Sequence, residues 1–257
     1  MNLIPFGITV AVGIGLSVYP IWRIKKLNKL IKEITMTKNV SVGDLTNGKV
    51  EIEGTALQTS TGALLSPVTK TPCLYYKCSV TESVGSGKSR RIIVLLDEIK
   101  AVPFFVDDQT GKVVVDPTGA TIITAKSSVF RTGLFGKPTQ ALFDFFTSRH
   151  INYNGLLGLK RDLTCGETII PFGEKVFVKG IAREKDEVDL LKLPELANNA
   201  VYIPKNLEEP TKIALGGENA AIGQYKKQVW LTIAILILIL FLVGIFAAIT
   251  LIVGLKP

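Results

Sequence analysis

Hydrophobic and polar positions divide the chain into three unlike stretches. Residues 3–22 read LIPFGITVAVGIGLSVYPIW and residues 229–254 read VWLTIAILILILFLVGIFAAITLIVG, with no charged side chain in either. A helix needs ~20 apolar residues to cross a bilayer core. A helix apolar on every side has no face to show to water. Both segments therefore predict membrane-spanning helices. The first contains Pro5, Gly7, Gly13, Gly15 and Pro20, residues that spanning helices tolerate better than soluble ones. A cleaved leader is the rival reading for it, but that needs a basic n-region ahead of the apolar run. Here the basic block follows the run.

Between the spans the pattern changes to short β-type runs punctuated by Gly and Pro. Residues 49–56 (KVEIEGTA) alternate, with Val50, Ile52 and Gly54 on one face. Residues 73–82 and 90–99 predict paired strands joined by the loop GSGKS. FFVDD and KVVVDP predict a hairpin around Gln109-Thr110-Gly111. Residues 121–125 and 174–184 continue the theme. One helix is predicted over Pro138–Ser148, with Pro138 in its first turn and Leu142, Phe145 and Phe146 on its packed face. The fold class expected is α+β: a mostly antiparallel β domain, barrel- or sandwich-like, over residues 40–215, with one or two helices and a transmembrane helix on each side. Residues 152–212 resist reading and include the polar connectors KLPELANNA and PKNLEEP.

Charge refines the flanks. Arg23, Lys25, Lys26, Lys29 and Lys32 follow the first span, and Lys226 and Lys227 precede the second. Excess Lys and Arg marks the cytoplasmic side, so the expected topology puts the central domain in the cytoplasm and both termini outside. Within residues 23–38, Ile24, Leu27, Leu30, Ile31 and Ile34 recur at helical spacing. That amphipathic segment either lies in the headgroup region or continues the span as a stalk. The whole chain carries a net charge of +8. Much of the excess sits beside the first span, where anionic lipid attracts it. No aromatic-interleaved basic stripe lies between the spans, so no nucleic-acid partner is expected.

Candidate chemistry changes the picture little. GSGKS has Glu82 where a phosphate-binding loop needs its first Gly, and a strand follows it where a helix should. Cys73, Cys78, Cys165 and His150 lack zinc-ligand spacing. Cys73 and Cys78, an odd number of residues apart in one strand, are expected on opposite faces as packing residues. Cys165 and His150 could in principle form a nucleophile pair, but neither has a local signature. Asp107, Asp108 and Asp116 each fit a turn. No catalytic residue, cofactor or metal is expected.

Three segments in order carry a resemblance: LLSPVTKTPCLYYKCSVTE (64–82), VPFFVDDQTGKVVVDPTGA (102–120) and ETIIPFGEKVFVKGIA (167–182). Together they resemble the GIDE, or "beside a membrane", domain of mitochondrial membrane-anchored RING ubiquitin ligases and their RING-less prokaryotic relatives. The resemblance implies a β-rich domain held between two spans. In the ligases a C-terminal RING supplies the activity, and a RING needs roughly eight Cys/His zinc ligands. This sequence has three Cys and one His, and only Leu255, Lys256 and Pro257 follow the second span, so no ligase activity of its own is expected. The expected role is a non-enzymatic module at the bilayer that binds a protein partner or senses membrane state, with a homo-oligomer among the assemblies it allows. The alternatives are an unrecognised membrane-surface hydrolase and a ligase scaffold that borrows its catalytic part from another chain.

Overall fold

The computed structural model describes residues 4–36, 40–85, 87–132, 138–155, 161–186 and 201–254. The connector KLPELANNA, Leu3, residues 37–38 of the amphipathic segment, Ser86 of the GSGKS loop and the three residues after the second span lie outside them. The chain forms two compact units, one of residues 1–38 with 219–257 and one of residues 39–218.

The first unit is a pair of helices. Helix α1 runs from Ile4 to Met36 with Pro20 inside it, so the basic segment continues the apolar one in a single helix. Its periodic apolar positions are the covered ones: Leu27 and Ile34 are buried, whereas Lys25, Lys26, Lys29 and Lys32 are exposed. Gly13 is a close-approach position. A Cβ there would lie 2.6 Å from Val243 Cγ1 on the second helix of the unit. Ser17 returns its hydroxyl to the Gly13 carbonyl at 2.8 Å. Small residues at such points let helix backbones approach closely in lipid. A groove of about 380 Å³ beside this contact is lined by Ile8, Thr9, Val12, Leu242, Val243 and Phe246. Both helices are long and apolar enough to cross a membrane, over Phe6–Lys32 and Gly217–Ile252.

The second unit holds two sheets. The strands are β1 (Gly48–Gln58), β2 (Leu64–Leu65), β3 (Pro72–Val84), β4 (Arg91–Ala101), β5 (Phe104–Asp107), β6 (Lys112–Val115), β7 (Thr121–Thr124), β8 (Lys126–Thr132), β9 (Leu163–Pro171), β10 (Lys175–Glu184), β11 (Val201–Tyr202) and β12 (Lys212–Leu215). Helix α2 covers Gln140–Ser148, and α3, the second long helix of the first unit, runs Gly217–Gly254. The larger sheet has the order β6-β5-β1-β10-β12-β7, with β11 on β10. The smaller has β2-β3-β9-β8, with β4 on β3. Among the described residues the strand pairings are antiparallel except β12 with β7, and a lone bridge from Val115 to Ile203 is also parallel, so the expected mostly antiparallel α+β domain is what forms.

The larger sheet owes its core to alternation along β1. Val50, Ile52 and Ala56 face a cluster with Phe104, Val106, Val176, Val178 and Ile213, which also takes in Leu74, Tyr75 and Ile170 from the smaller sheet. Gly54 is required where it stands, because a Cβ would lie 2.5 Å from the Asp107 carbonyl oxygen on β5. The β5–β6 turn is built by Asp108. Its Oδ1 accepts from the Thr110 amide at 2.9 Å and the Thr110 hydroxyl at 2.7 Å, and its Oδ2 from the Val42 amide at 2.7 Å. Asp107 and Asp116 likewise accept from amides two residues on, in Gln109 and Thr118, which is turn chemistry.

Two expectations are corrected here. Helix α2 begins at Gln140, and Thr139 caps it by accepting from the Leu142 amide. Pro138 therefore precedes the cap and lies outside the first turn. Cys73 and Cys78 share a face. The β3–β9 register shifts between Cys73 and Tyr75, and this bulge spends one residue without alternating, so both cysteines enter one core cluster with Cys165.

Candidate interaction surface

Strand β3 lies between β9 on one side and β4 with β2 on the other, and its pleat decides what the smaller sheet shows to solvent. Tyr76, Cys78 and Val80 point to the face covered by α2, where Leu142, Phe145 and Phe146 are buried with Leu163, Cys165 and Ile169. The other face begins covered, because Leu74 and Tyr75 pack into the core of the larger sheet. Farther along β3 that cover ends. Lys77, Ser79, Thr81 and Ser83 alternate onto this second face, and none of them is buried. Strand pairing sets Thr81 beside Val94 and Ser83 beside Ile92, and it sets Gly166 beside both Ser79 and Val129.

The result is a Ser/Thr/Gly sheet surface edged by aliphatic side chains. Ile92 is 73% exposed, Val94 62%, Ile99 55% and Val129 65%. They flank the centre from the two edge strands, β4 and β8, with Asp97 between Val94 and Ile99, and exposed aliphatics concentrated on one sheet face mark a candidate interaction site or an aggregation hazard. The residue pattern at 90–99 predicts the strand but not its exposure. One signal was present: RRIIVLLDE has five consecutive aliphatics with no alternation, bounded by like charges of opposite sign at its two ends.

Ion pairs brace the covered face of this sheet at both ends. The Glu98 carboxylate accepts from the Tyr76 hydroxyl at 2.6 Å and from Arg149 Nε at 3.0 Å, with Lys100 Nζ at 3.3 Å. Burial works against its charge, but the Tyr76 hydrogen bond and Arg149 outweigh it, so the Glu98 pKa falls below the ordinary carboxylate value. Burial and the bond to Glu98 raise Tyr76. At the other end Arg161 forks onto Glu82, with Nε at 2.6 Å, and donates to the Asn152 carbonyl at 2.7 Å. That bond lowers Glu82 despite its partial burial. Glu167 is buried and clasps the β2–β3 turn, accepting from the Val68 amide at 2.7 Å and from the Thr69 amide and hydroxyl.

The thiols are shielded. Cys73, Cys78 and Cys165 are free and buried. Burial, then Glu167, pushes Cys73 up to about 11. The hydrogen bond with Cys165, then burial, raises Cys78. A protonated thiol is a poor nucleophile. His150 sits exposed at the end of α2 in a left-handed conformation, φ 54, whereas Cys165 has no exposed surface. Among the described residues no group of three or more His, Cys, Asp or Glu could hold a metal ion.

The basic residues singled out in the sequence fall on the two long helices. Arg23 is half-buried on α1, and Lys25, Lys26, Lys29 and Lys32 are exposed there; Lys226 and Lys227 are exposed on α3. Lys26 also stacks its ammonium over Trp22, 5.2 Å from the ring centroid, a cation–π contact of the kind found where helices meet an interface.

Comparison with known proteins fits this architecture. A family model, GIDE, described as E3 Ubiquitin ligase, matches residues 77–209, just over half of the chain. The match runs from the middle of β3 through the segment after β11, so it takes in the open sheet surface and excludes both long helices. No curated protein matches, and no solved structure does. With the ordered GIDE-like motifs, the β unit that carries them and the family match in agreement, the chain belongs to the GIDE family, a membrane-associated group related to E3 ubiquitin ligases.

Proposed function

We propose that this chain is a membrane-anchored, non-enzymatic scaffold whose β unit binds a protein at the cytoplasmic face of the bilayer. The observation that carries the reading is the uncovered half of the smaller sheet, where Ile92, Val94, Ile99 and Val129 stand exposed. One face of this sheet is closed by α2, yet the other keeps Ile92, Val94, Ile99 and Val129 in water around a Ser/Thr/Gly centre. Such a surface is stable in solution only at a cost, and a partner recovers it. Two helices of spanning length anchor the unit at both ends. The basic residues at the domain-proximal parts of α1 and α3 favour the cytoplasmic side by the positive-inside rule.

The test is substitution on the open face of the smaller sheet. Ile99→Lys with Val129→Lys, in the full chain in native membranes, is expected to keep the wild-type melting transition and lose specific co-purifying protein. Unchanged partner recovery overturns the reading. Topology is checked separately: a membrane-impermeant maleimide is expected to label a cysteine introduced at Ser127 only after the cells are permeabilised.

The family description favours a second reading, in which the scaffold serves a ubiquitin ligase assembled from another chain. Three Cys and one His are too few for a RING within these residues. Co-purification of a RING protein or a ubiquitin-conjugating enzyme, with ubiquitin transfer in the complex, supports it. A preparation containing neither removes it.

A further inference from the structure

Strand β4 is an edge. It is hydrogen-bonded to β3 along one side, and among the described residues no strand pairs with the other. The edge is long, Arg91–Ala101, and aliphatic at its centre, whereas exposed edges in soluble proteins are usually kept short or charged. Its charges lie to either side of that centre instead, with Arg90 and Arg91 before it and Asp97 and Glu98 after it, followed by Lys100, which is paired with Glu98. Reversing the strand and laying it on itself brings the basic end onto the acidic end twice. A two-fold symmetric interface requires this self-complementarity.

We propose that β4 pairs antiparallel with β4 of a second copy of this chain, joining the two smaller sheets edge to edge. The proposal rests on the reading of the β unit as an interaction module and names the occupant of its edge. The bulge in β4 limits which registers match faces, and charge chooses among them, because the register two residues on sets Arg91 against the other copy's Lys100. The β3–β4 pairing steps from Val80↔Leu96 to Thr81↔Val94, so Leu95 is the extra residue, and the strand changes phase there. Faces on both copies agree when Arg91 lies across from the other copy's Glu98 and Ile93 across from its Leu96. Arg90 then sits diagonal to the other copy's Asp97, within reach of a long side chain. Glu98 is already held by Tyr76, Arg149 and Lys100, so the charge pairing rests on Arg90 and Asp97, whose local links are exposed and weak: Arg90 meets Ser83 and, at 3.6 Å, Asp162, and Lys77 meets Asp97 at 3.4 Å.

The experiment uses the full chain in native membranes. The native thiols are buried, so Val94→Cys presents one reactive thiol at the edge. A short thiol–thiol cross-linker is expected to yield a covalent dimer from Val94→Cys and little from Ser127→Cys on the opposite edge strand β8. Charge reversal then tests the register with differently tagged copies. Arg90→Glu alone and Asp97→Lys alone are each expected to weaken self-capture about tenfold, and their mixture to recover it, because the mixed pair restores attraction at both ends. Ile92→Lys, with a wild-type melting transition, is expected to abolish capture. Absence of a Val94→Cys dimer, equal cross-linking at Ser127→Cys, or no recovery in the mixture overturns the proposal. So does protection of the Val94→Cys thiol by lipid vesicles without dimer formation, which would assign the edge to the membrane. Partner recovery through Val129→Lys, on the opposite edge strand β8, is a separate readout, so this proposal can fail while the scaffold reading stands.

Discussion

The two sheets use their long central strands differently. Strand β1 is paired on both sides, and from Val50 to Ile52 every residue along it is buried, including Glu51, which pairs with Lys179 on β10. Strand β3 is as well paired, yet past Tyr75 only one of its faces is covered. Pairing alone therefore does not close a sheet; a layer on each face does. Over residues 50–52 the larger sheet is buried on both faces. The smaller has α2 on one face and, over half its length, water on the other. The contrast separates residues that hold the fold from residues available for recognition.

The largest expected effect lies under α2. Phe146→Ala removes a fully buried ring from the covered face and is expected to destabilise the β unit by about 3–5 kcal/mol, read as a shift in the denaturation midpoint of the detergent-solubilised chain. A loss below about 1 kcal/mol would show that the helix is not closing that face. Next comes the brace beside it. Arg149→Ala leaves Glu98 with Tyr76 and Lys100 only and is expected to cost about 1–3 kcal/mol. Asp108→Ala, in the larger sheet, frees three amides and a hydroxyl at the β5–β6 turn and is expected to cost about 1–2 kcal/mol.

These carboxylates also set a pH dependence. Glu82, Glu98 and Asp108 are held below their ordinary values of 4.5, 4.5 and 3.8. A depressed folded-state pKa contributes stability that is fully present above the ordinary value and is lost as pH falls through the folded one. The melting temperature is therefore expected to hold near neutrality and to fall below about pH 4.5, and Arg149→Ala should flatten part of that fall. The smallest effect completes the contrast. Ile99→Ser on the open face is expected to change stability by no more than about 0.5 kcal/mol, while changing what the surface binds. A loss comparable to that of Phe146→Ala would mean that the face is covered after all.

How much of this was written in the sequence depends on how local the signal is. The hairpin of β5 and β6 was legible because Asp108, Gln109 and Gly111 supply turn chemistry between two apolar runs. Helix α2 was legible from the spacing of Leu142, Phe145 and Phe146, although its start was misplaced because Pro138 suits both a first turn and the residue before a cap. Strand β12 was not legible: four residues, KIAL, paired parallel to β7 across a long separation, carry no local pattern of their own. The bulge after Cys73 was equally hidden, because alternation is assumed until a partner strand breaks it. The open surface was the least legible. IIVLL has the same composition whether a layer covers it or not, and that layer is placed by residues far away in the chain. Family resemblance supplied the class of fold but could not say which face stays bare.

The contact of Gly13 with Val243 has a consequence for biogenesis. Ribosomes add roughly 5–20 residues per second, so α1 emerges on the order of tens of seconds before the part of α3 that packs on it. During that interval the Gly13 notch has no mate in its own chain, while the intervening β unit has time to fold. A nascent α1 thus presents an unfilled packing face until α3 is made. Slowing synthesis between residues 219 and 229 would lengthen that window.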